Sequence, residues 1–254
     1  MPNPWQIYDQ LINAIPEELT VVSGAAGMRW CRVVSSDDGL GMSYTMPEQS
    51  RPVHFEGPTY VGAPLREIAT LAKSWNFAEA GIGMAALNAW HCHPDRVGTA
   101  GFTPSPAGVW PRIFHPYSKT VAGKVVSVIG HFPFAFEPLA AASQLHVLER
   151  STHPGDYPDP ACEYLLPASD YVFISGSAFV NKTMPRLLEL AQHATTIVVG
   201  PSTPLSPVLF DHGVDAITGF VATSPAELAE SLGGLALSGM LDHGHIVERN
   251  LRAG

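Results

Sequence analysis

The chain has 254 residues, of which 46% are hydrophobic and only 15% are charged, and this composition excludes a disordered chain and a coiled coil. Its 23 acidic and 14 basic side chains give a formal net charge of −9, so most of the surface would repel a phosphate backbone. Nucleic acid is therefore not an expected partner.

The sequence also lacks the signals of export and membrane insertion. No run approaches the roughly 18 consecutive apolar residues that a spanning helix requires. Residues 1–5 carry neither the basic region nor the apolar run of a signal peptide. The cysteines Cys31, Cys92 and Cys162 are too scattered for a disulfide framework. We therefore expect a cytoplasmic protein with reduced thiols and no membrane insertion.

Residues 1–93 form the first predicted unit, a small α+β domain. Apolar residues at helical spacing predict three helices, which are expected over 5–15, 65–75 and 77–90. Short runs rich in β-branched and aromatic residues predict an antiparallel meander, whose strands are expected over 19–23, 28–35 and 40–45.

The helix predicted over 77–90 is unusually thin because it consists largely of glycine, alanine and other small residues. Gly81 and Gly83 lower its intrinsic helix propensity. Their lack of a Cβ atom allows another backbone or a ligand to approach closely.

Residues 94–123 are rich in proline and glycine and show no sustained periodicity, so regular structure is not expected across most of them. A segment of this kind is a linker or a loop that lines a site. We place the boundary between two domains here.

Residues 124–254 form the second predicted unit, in which buried strands alternate with helices. Nearly unbroken apolar runs predict parallel strands, which are expected over 125–129, 145–148, 171–174, 197–199 and 215–218. Helices are expected between and after them, over 136–143, 160–166, 183–194 and 225–241. The pattern is that of an open, Rossmann-like α/β sheet.

Polar and backbone-permissive residues follow the first four of these strands. Ligands of open parallel sheets bind beyond the carboxyl ends of the strands, so these residues are expected to meet at one edge. They are Gly130, His131 and Pro133, then Glu149, then Gly176 and Asn181, then Gly200, Pro201, Ser202 and Thr203.

The first of these turns argues against NAD. A dinucleotide requires G-x-G-x-x-G, whereas only Gly130 stands in this turn. Glu149 follows about 20 residues later, where an acid can bind a ribose hydroxyl. An adenosine-containing ligand therefore stays open, beside the reading that Glu149 is a solvated residue at a strand end.

Two pairs of histidines have the spacing of metal ligands. If their segment is extended, His91 and His93 point the same way and share an ion. His243 and His245 have the same spacing. The alternative is that each is a surface or hydrogen-bonded histidine.

Five ordered motifs resemble the putative heavy-metal chelation family, formerly a domain of unknown function. They span residues 81–89, 128–133, 166–170, 175–183 and 200–205. The resemblance implies an enolase-N-terminal-like domain joined to a Rossmann-like domain, with an active site in the cleft between them. Carried over by position, it adds Gly83 and Asn88 on the thin helix to the residues at the sheet edge.

Together these features predict a protein that binds or processes a metal or a small metal-chelating molecule in an interdomain cleft. Glu149, His131 and Asn181 are the candidate catalytic residues, with Glu149 the preferred general base. The expected cofactor is a transition metal ion, for which His91 and His93 are the candidate ligands. The alternative is an enzyme that uses an adenosine-containing cofactor such as S-adenosylmethionine. A noncatalytic carrier and a homo-oligomer are also compatible with the sequence.

Overall fold

A computed structural model describes residues 3–48, 50–57, 59–232 and 239–252, which form a mixed α/β architecture with two sheets. The smaller sheet is antiparallel, and its strands lie in the order β1, β2, β3. These strands are β1 Val21–Ala26, β2 Trp30–Ser35 and β3 Leu40–Tyr44. The predicted meander is confirmed.

Three helices accompany the smaller sheet, namely α1 Gln6–Asn13, α2 Leu65–Ala69 and α3 Phe77–His91. A 3-10 turn over Thr70–Lys73 continues α2. Asn76 directly precedes helix α3, and its side chain accepts a hydrogen bond from the Glu79 amide at 3.0 Å and so caps the helix.

The small residues of α3 serve backbone packing. A Cβ atom on Gly83 would lie 2.0 Å from the backbone nitrogen of Ala72. One on Gly81 would lie 2.6 Å from the Cys31 sulfur. The thin helix therefore admits neighbouring elements of the protein itself, and it is buried along most of its length.

The larger sheet has eight strands in the order β4, β11, β10, β9, β8, β5, β6, β7. They are β4 Thr103–Pro104, β5 Val125–Ile129, β6 Gln144–Glu149, β7 Tyr157–Pro158, β8 Tyr171–Ser175, β9 Thr195–Val199, β10 Ala216–Ala222 and β11 Gly244–Asn250. In this spatial order, every two neighbouring strands between β10 and β7 are parallel. Strand β11 runs antiparallel to β10, and β4 runs antiparallel to β11.

The helices of this half are short. They are α4 Pro94–Thr99, α5 Cys162–Leu165, α6 Met184–Leu190, α7 Val208–Asp211 and α8 Pro225–Ser231. The helix predicted over 225–241 is confirmed only for α8, and its residues 233–238 lie outside the described residues.

One prediction of local structure is wrong. Residues 136–143 form turns and bends, because the amides of Ala140 and Ala142 bond to carbonyls three residues back and the Ser143 amide bonds to the Lys124 carbonyl beside β5. Within 94–123, most of which was expected to be irregular, residues 94–99 form α4, since Pro94 occupies the first turn and His93 caps the helix. The domain boundary within 94–123 stays a prediction.

The two sheets share one core. Leu11 of α1, Leu87 of α3 and Val172 of β8 belong to the same cluster of buried side chains. The hydroxyl of Tyr8 in α1 also donates a 2.7 Å hydrogen bond to the Phe179 carbonyl, just after β8. The N-terminal elements are therefore packed directly onto the larger sheet.

Candidate functional site

A cleft of about 910 Å³ lies between the smaller sheet and the carboxyl ends of the parallel strands. One wall consists of the turns that follow β5, β6, β8 and β9. The other wall comes from the smaller sheet and the segment after β3, and it contains Arg29, Trp30, Tyr44, Met46, Pro47 and Glu48. The N-terminal elements thus cover the strand ends.

The cleft occupies the position at which the strand order reverses. Strand β5 lies between β6 and β8, so the chain leaves β5 in one direction and later returns on its other side. The turns after β5 and β8 diverge there, and the crevice between them is where open parallel sheets bind ligands.

Glycines shape these turns. Gly130 and Gly200 end their strands with φ of +105° and +114°, conformations that strongly favour glycine. At Gly176, a Cβ atom would lie 2.4 Å from Oγ1 of Thr203, so the turns after β8 and β9 touch. Pro133 and Pro201 also line the cleft.

Glu149 ties two neighbouring turns together. Its Oε2 accepts a 3.0 Å hydrogen bond from the His131 amide, and its Oε1 accepts bonds from the amides of Arg150 and Ser151 at 2.6 and 3.3 Å. Three backbone N–H groups therefore hold the carboxylate in place, and they use much of its capacity to accept hydrogen bonds.

His131 is held by a carboxylate that the sequence reading missed. Its Nδ1 lies 2.9 Å from Oδ2 of Asp156, whose side chain is only 1% exposed. The imidazole also stacks on that of His153, with ring centroids 4.1 Å apart. A carboxylate on one ring nitrogen fixes the tautomer and leaves Nε2 for a ligand. Asp156 precedes a two-residue strand, so no periodic pattern marked it.

Asn181 lies in the turn beyond β8 and lines the cleft. Its Oδ1 accepts hydrogen bonds from the amide and hydroxyl of Thr183 at 3.1 and 2.6 Å. This arrangement leaves the Nδ2 amide as the donor that a ligand can use.

Asn88 does not line the cleft, although it lies beside its rim. Its side chain is fully buried, and Nδ2 donates to the carbonyls of Met42 and Ser202 at 2.9 and 3.1 Å. The Ser202 hydroxyl in turn accepts a 2.8 Å bond from the Tyr44 amide. Asn88 and Ser202 therefore connect the smaller sheet to the turn that follows β9, at the rim of the cleft. Thr203 is buried behind them, and Gly83, elsewhere on α3, packs against Ala72.

The sequence profiles of two families, DUF364 and DUF4213, match residues 114–238 and 8–91, and both are described as "Putative heavy-metal chelation". A crystal structure of a DUF364 protein of unknown function from Desulfitobacterium hafniense is 37% identical in sequence, with a TM-score of 0.84 over 97% of this chain and 98% of that one. The chain belongs to the DUF364 family.

Two more distant relatives extend the comparison. A DUF364 structure of unknown function from Pyrococcus horikoshii is 21% identical, covers 97% of this chain and 99% of that one, and has a TM-score of 0.79, which supports the shared fold. An uncharacterized protein of Methanocaldococcus jannaschii is 27% identical over 218 residues, 79% of this chain and 77% of its own. The finer likeness to enolase N-terminal and Rossmann domains stays a prediction.

The histidine pair predicted to bind metal in this DUF364 protein is not arranged as expected. His91 is the last residue of α3 and is buried, and its Nε2 lies 2.9 Å from the Leu11 carbonyl. His93 follows the helix, with its Nε2 3.0 Å from the Asp37 carbonyl. The extended segment that would pair the two rings is therefore not formed. Burial lowers the pKa of His91 to about 4, so the ring is neutral.

The other candidate ligands are dispersed. His245 lies exposed on β11, and His243 lies 3.6 Å from the Glu227 carboxylate. Burial raises the pKa of the Cys92 and Cys162 thiols to about 12, which disfavours the thiolates that bind soft metals.

Across the described ranges, no three His, Cys, Asp or Glu side chains are grouped to hold an ion. The described residues thus do not fit a resident metal bound by protein ligands alone. Nor do they support an adenosine-containing cofactor such as S-adenosylmethionine, since no α-helix directly follows β5 in residues 130–143 and Glu149 is engaged by backbone amides.

No helix among the described residues has both the length and the apolar character needed to cross a bilayer.

Proposed function

We propose that the cleft binds a small metal-chelating molecule, free or with its metal, and that His131 exchanges a proton with it. The observation that carries the proposal is the His131–Asp156 pair at the wall of a cleft of about 910 Å³. In this proposal the metal is cargo that arrives with its own chelator, because the chain supplies no ligand cluster of its own among the described residues.

The chemistry follows from the need of a chelator to lose protons when it takes a metal. Among the described residues, no protein group bonds to Nε2 of His131. This nitrogen can take a proton from a hydroxyl or carboxyl of the bound molecule, and the Asp156 carboxylate stabilises the imidazolium that forms. The reverse transfer accompanies release of the metal.

Glu149 and Asn181 have supporting roles in this proposal. The Glu149 carboxylate holds the His131 amide at 3.0 Å and thereby orients the turn, so the role of base passes from Glu149 to His131. The Nδ2 amide of Asn181 donates to an oxygen of the chelator. Both roles are consistent with the placement of these residues in the cleft wall.

Equilibrium dialysis with the nickel complex of iminodiacetate tests the proposal. We expect one complex to be retained per chain, and His131→Ala to weaken its retention about tenfold or more, since a charge-assisted hydrogen bond contributes roughly 1.5–3 kcal/mol. Asp156→Asn keeps the imidazole but removes the charge that orients it, and we expect an intermediate loss.

His193→Ala is the matched control. His193 is exposed and precedes β9, so it lies at the amino ends of the parallel strands, whereas the cleft lies at their carboxyl ends. It should bind as the wild-type protein does. The proposal fails if the wild-type protein retains no nickel above the level of free diffusion, or if His131→Ala and His193→Ala bind equally well.

A further inference from the structure

The cleft wall is rich in aromatic side chains, and they come from three separate parts of the chain. Those that line the cleft are Trp30, Tyr44, Trp110, Phe132 and Phe134. Each of these residues is only partly buried. Accessible aromatic surface in a cleft that otherwise presents strand-end polar groups indicates a ligand with one apolar and one polar side.

The rings on the two sides are held in place from behind. Trp30 and Tyr44 meet edge to face with centroids 6.0 Å apart, and the Tyr44 backbone is bonded to Ser202. On the opposite side, fully buried Phe114 supports Phe132 and Phe134 at centroid distances of 5.6 and 5.8 Å. The aromatic surfaces are therefore preorganised, which reduces the entropy lost when a flat ligand binds.

Charged groups of both signs border this aromatic surface: two arginines, the carboxylates of Glu149 and Asp159, which are engaged by backbone amides and by Arg150, and the carboxylate of Glu48. Arg29 lies at the tip of the hairpin between β1 and β2, and Arg150 follows β6. The Nε of Arg150 lies 2.6 Å from the Asp159 carboxylate, which fixes the direction of the guanidinium. Guanidinium groups bind carboxylates in a bidentate manner, so the ligand that suits this border carries acidic substituents.

We infer that the chelating molecule is a planar aromatic acid, whose ring packs against these side chains while its acidic donor atoms face His131 and the arginines. The inference rests on the proposed function and narrows its ligand class. An aliphatic chelator with the same donor atoms would leave the aromatic surfaces facing water, and would lose the stacking contribution as well as the apolar burial.

A pair of probes with matched donor atoms separates these alternatives. Pyridine-2,6-dicarboxylate and iminodiacetate each bind nickel through one nitrogen and two carboxylates, but only the first carries a planar ring. We expect the nickel complex of pyridine-2,6-dicarboxylate to be retained about tenfold more tightly in equilibrium dialysis, as two aromatic contacts of roughly 0.5–1.5 kcal/mol each imply.

Substitutions then locate the effect. Trp30→Leu should bring the two complexes to within about threefold of each other by weakening only the aromatic one, since it removes a single aromatic contact. Phe132→Leu provides a second variant on the opposite side. Trp75→Leu is the control, because Trp75 is half-exposed and packs against Trp5 outside the cleft.

The outcomes distinguish the inference from the function on which it rests. Equal retention of the two complexes by the wild-type protein, or an equal loss of both in Trp30→Leu and Phe132→Leu, overturns the aromatic ligand while the proposed function stands. Retention of neither complex overturns both.

Discussion

His91 and His131 are two histidines in different regions of the molecule: His91 is buried between packed elements, whereas His131 lines the cleft. His91 lies in the seam between α3 and its neighbours, where its ring meets a backbone carbonyl and burial keeps it neutral. His131 lies at the rim of the larger sheet, beside the Asp156 carboxylate and an open cleft. The partner and the solvent access, rather than the residue type, decide which histidine can do chemistry.

Asparagine and glycine repeat the contrast. Asn88 in the seam donates its Nδ2 amide to two backbone carbonyls. Asn181 at the rim uses its Oδ1 within its own turn, which leaves its Nδ2 amide to donate to a ligand. Gly83 permits contact between two backbones, whereas Gly200 permits a left-handed turn in open space. Substitutions in the seam should therefore affect stability, and those at the rim should affect binding.

The largest effect is expected at Gly83. In Gly83→Ala the new methyl group would lie 2.0 Å from the Ala72 nitrogen, so backbone must move, and we expect a loss of about 3 kcal/mol or more in the free energy of unfolding. Urea denaturation measures it. Gly98→Ala is the control: Gly98 lies in α4 with nothing within 4 Å, and alanine should stabilise by roughly 0.5–1 kcal/mol.

The next effect is the pH dependence that His91 contributes. Burial lowers its pKa from 6.5 to about 4, so the unfolded chain takes up the proton first as the pH falls. Its contribution is complete above pH 6.5 and is lost between pH 6.5 and 4, by on the order of 3 kcal/mol. In this window, His91→Gln should flatten the dependence of the free energy of unfolding on pH, as measured by urea denaturation at each pH. If that dependence were as steep in His91→Gln as in the wild-type protein, the assignment of His91 to the seam would be contradicted.

Asn88→Ala and Asn181→Ala sharpen the contrast between the two regions. The first leaves the Met42 and Ser202 carbonyls unpaired in a buried seam, and should cost about 2–3 kcal/mol of stability. The second removes two part-buried hydrogen bonds to Thr183 and should cost about 1 kcal/mol of stability, while weakening retention of the nickel–iminodiacetate complex. Urea denaturation and equilibrium dialysis on both variants measure the two effects. The contrast between the two regions would be wrong if Asn181→Ala lost more stability than Asn88→Ala, or if Asn88→Ala lost more binding than Asn181→Ala.

The smallest effect is expected at Tyr8, where α1 meets the turn after β8. Tyr8→Phe removes the 2.7 Å hydrogen bond to the Phe179 carbonyl and should cost about 1 kcal/mol. Tyr164→Phe, at a side chain that is 82% exposed, should have no measurable effect in the same thermal or urea denaturation.

Much of the fold was predictable because buried strands carry strong local signals. The apolar run at 125–129 coincides with β5, and the runs before Ser175 and Gly200 lie within β8 and β9. Strand β11 was missed because polar residues occupy much of it. The two-residue strands β4 and β7 are too short to show any periodicity.

The candidate site was predictable only in part. Residues at or just after the ends of long strands, such as Glu149 and His131, could be placed at the sheet edge, since parallel strands end together. Asp156 and the aromatic cover, including Trp30 and Tyr44, could not, because no local pattern links them to that edge. Their nearness arises when the smaller sheet packs over the strand ends.

The sequence by itself determined the two sheets, most of their strands and the glycine turns at the rim, because hydrophobic periodicity and glycine conformation are properties of neighbours along the chain. The tertiary structure alone decided which histidine gained a carboxylate, which asparagine was buried and which rings face the cleft. Those outcomes depend on contacts between segments far apart in sequence, and burial and pairing, which set their chemistry, do not exist until the two sheets have packed together.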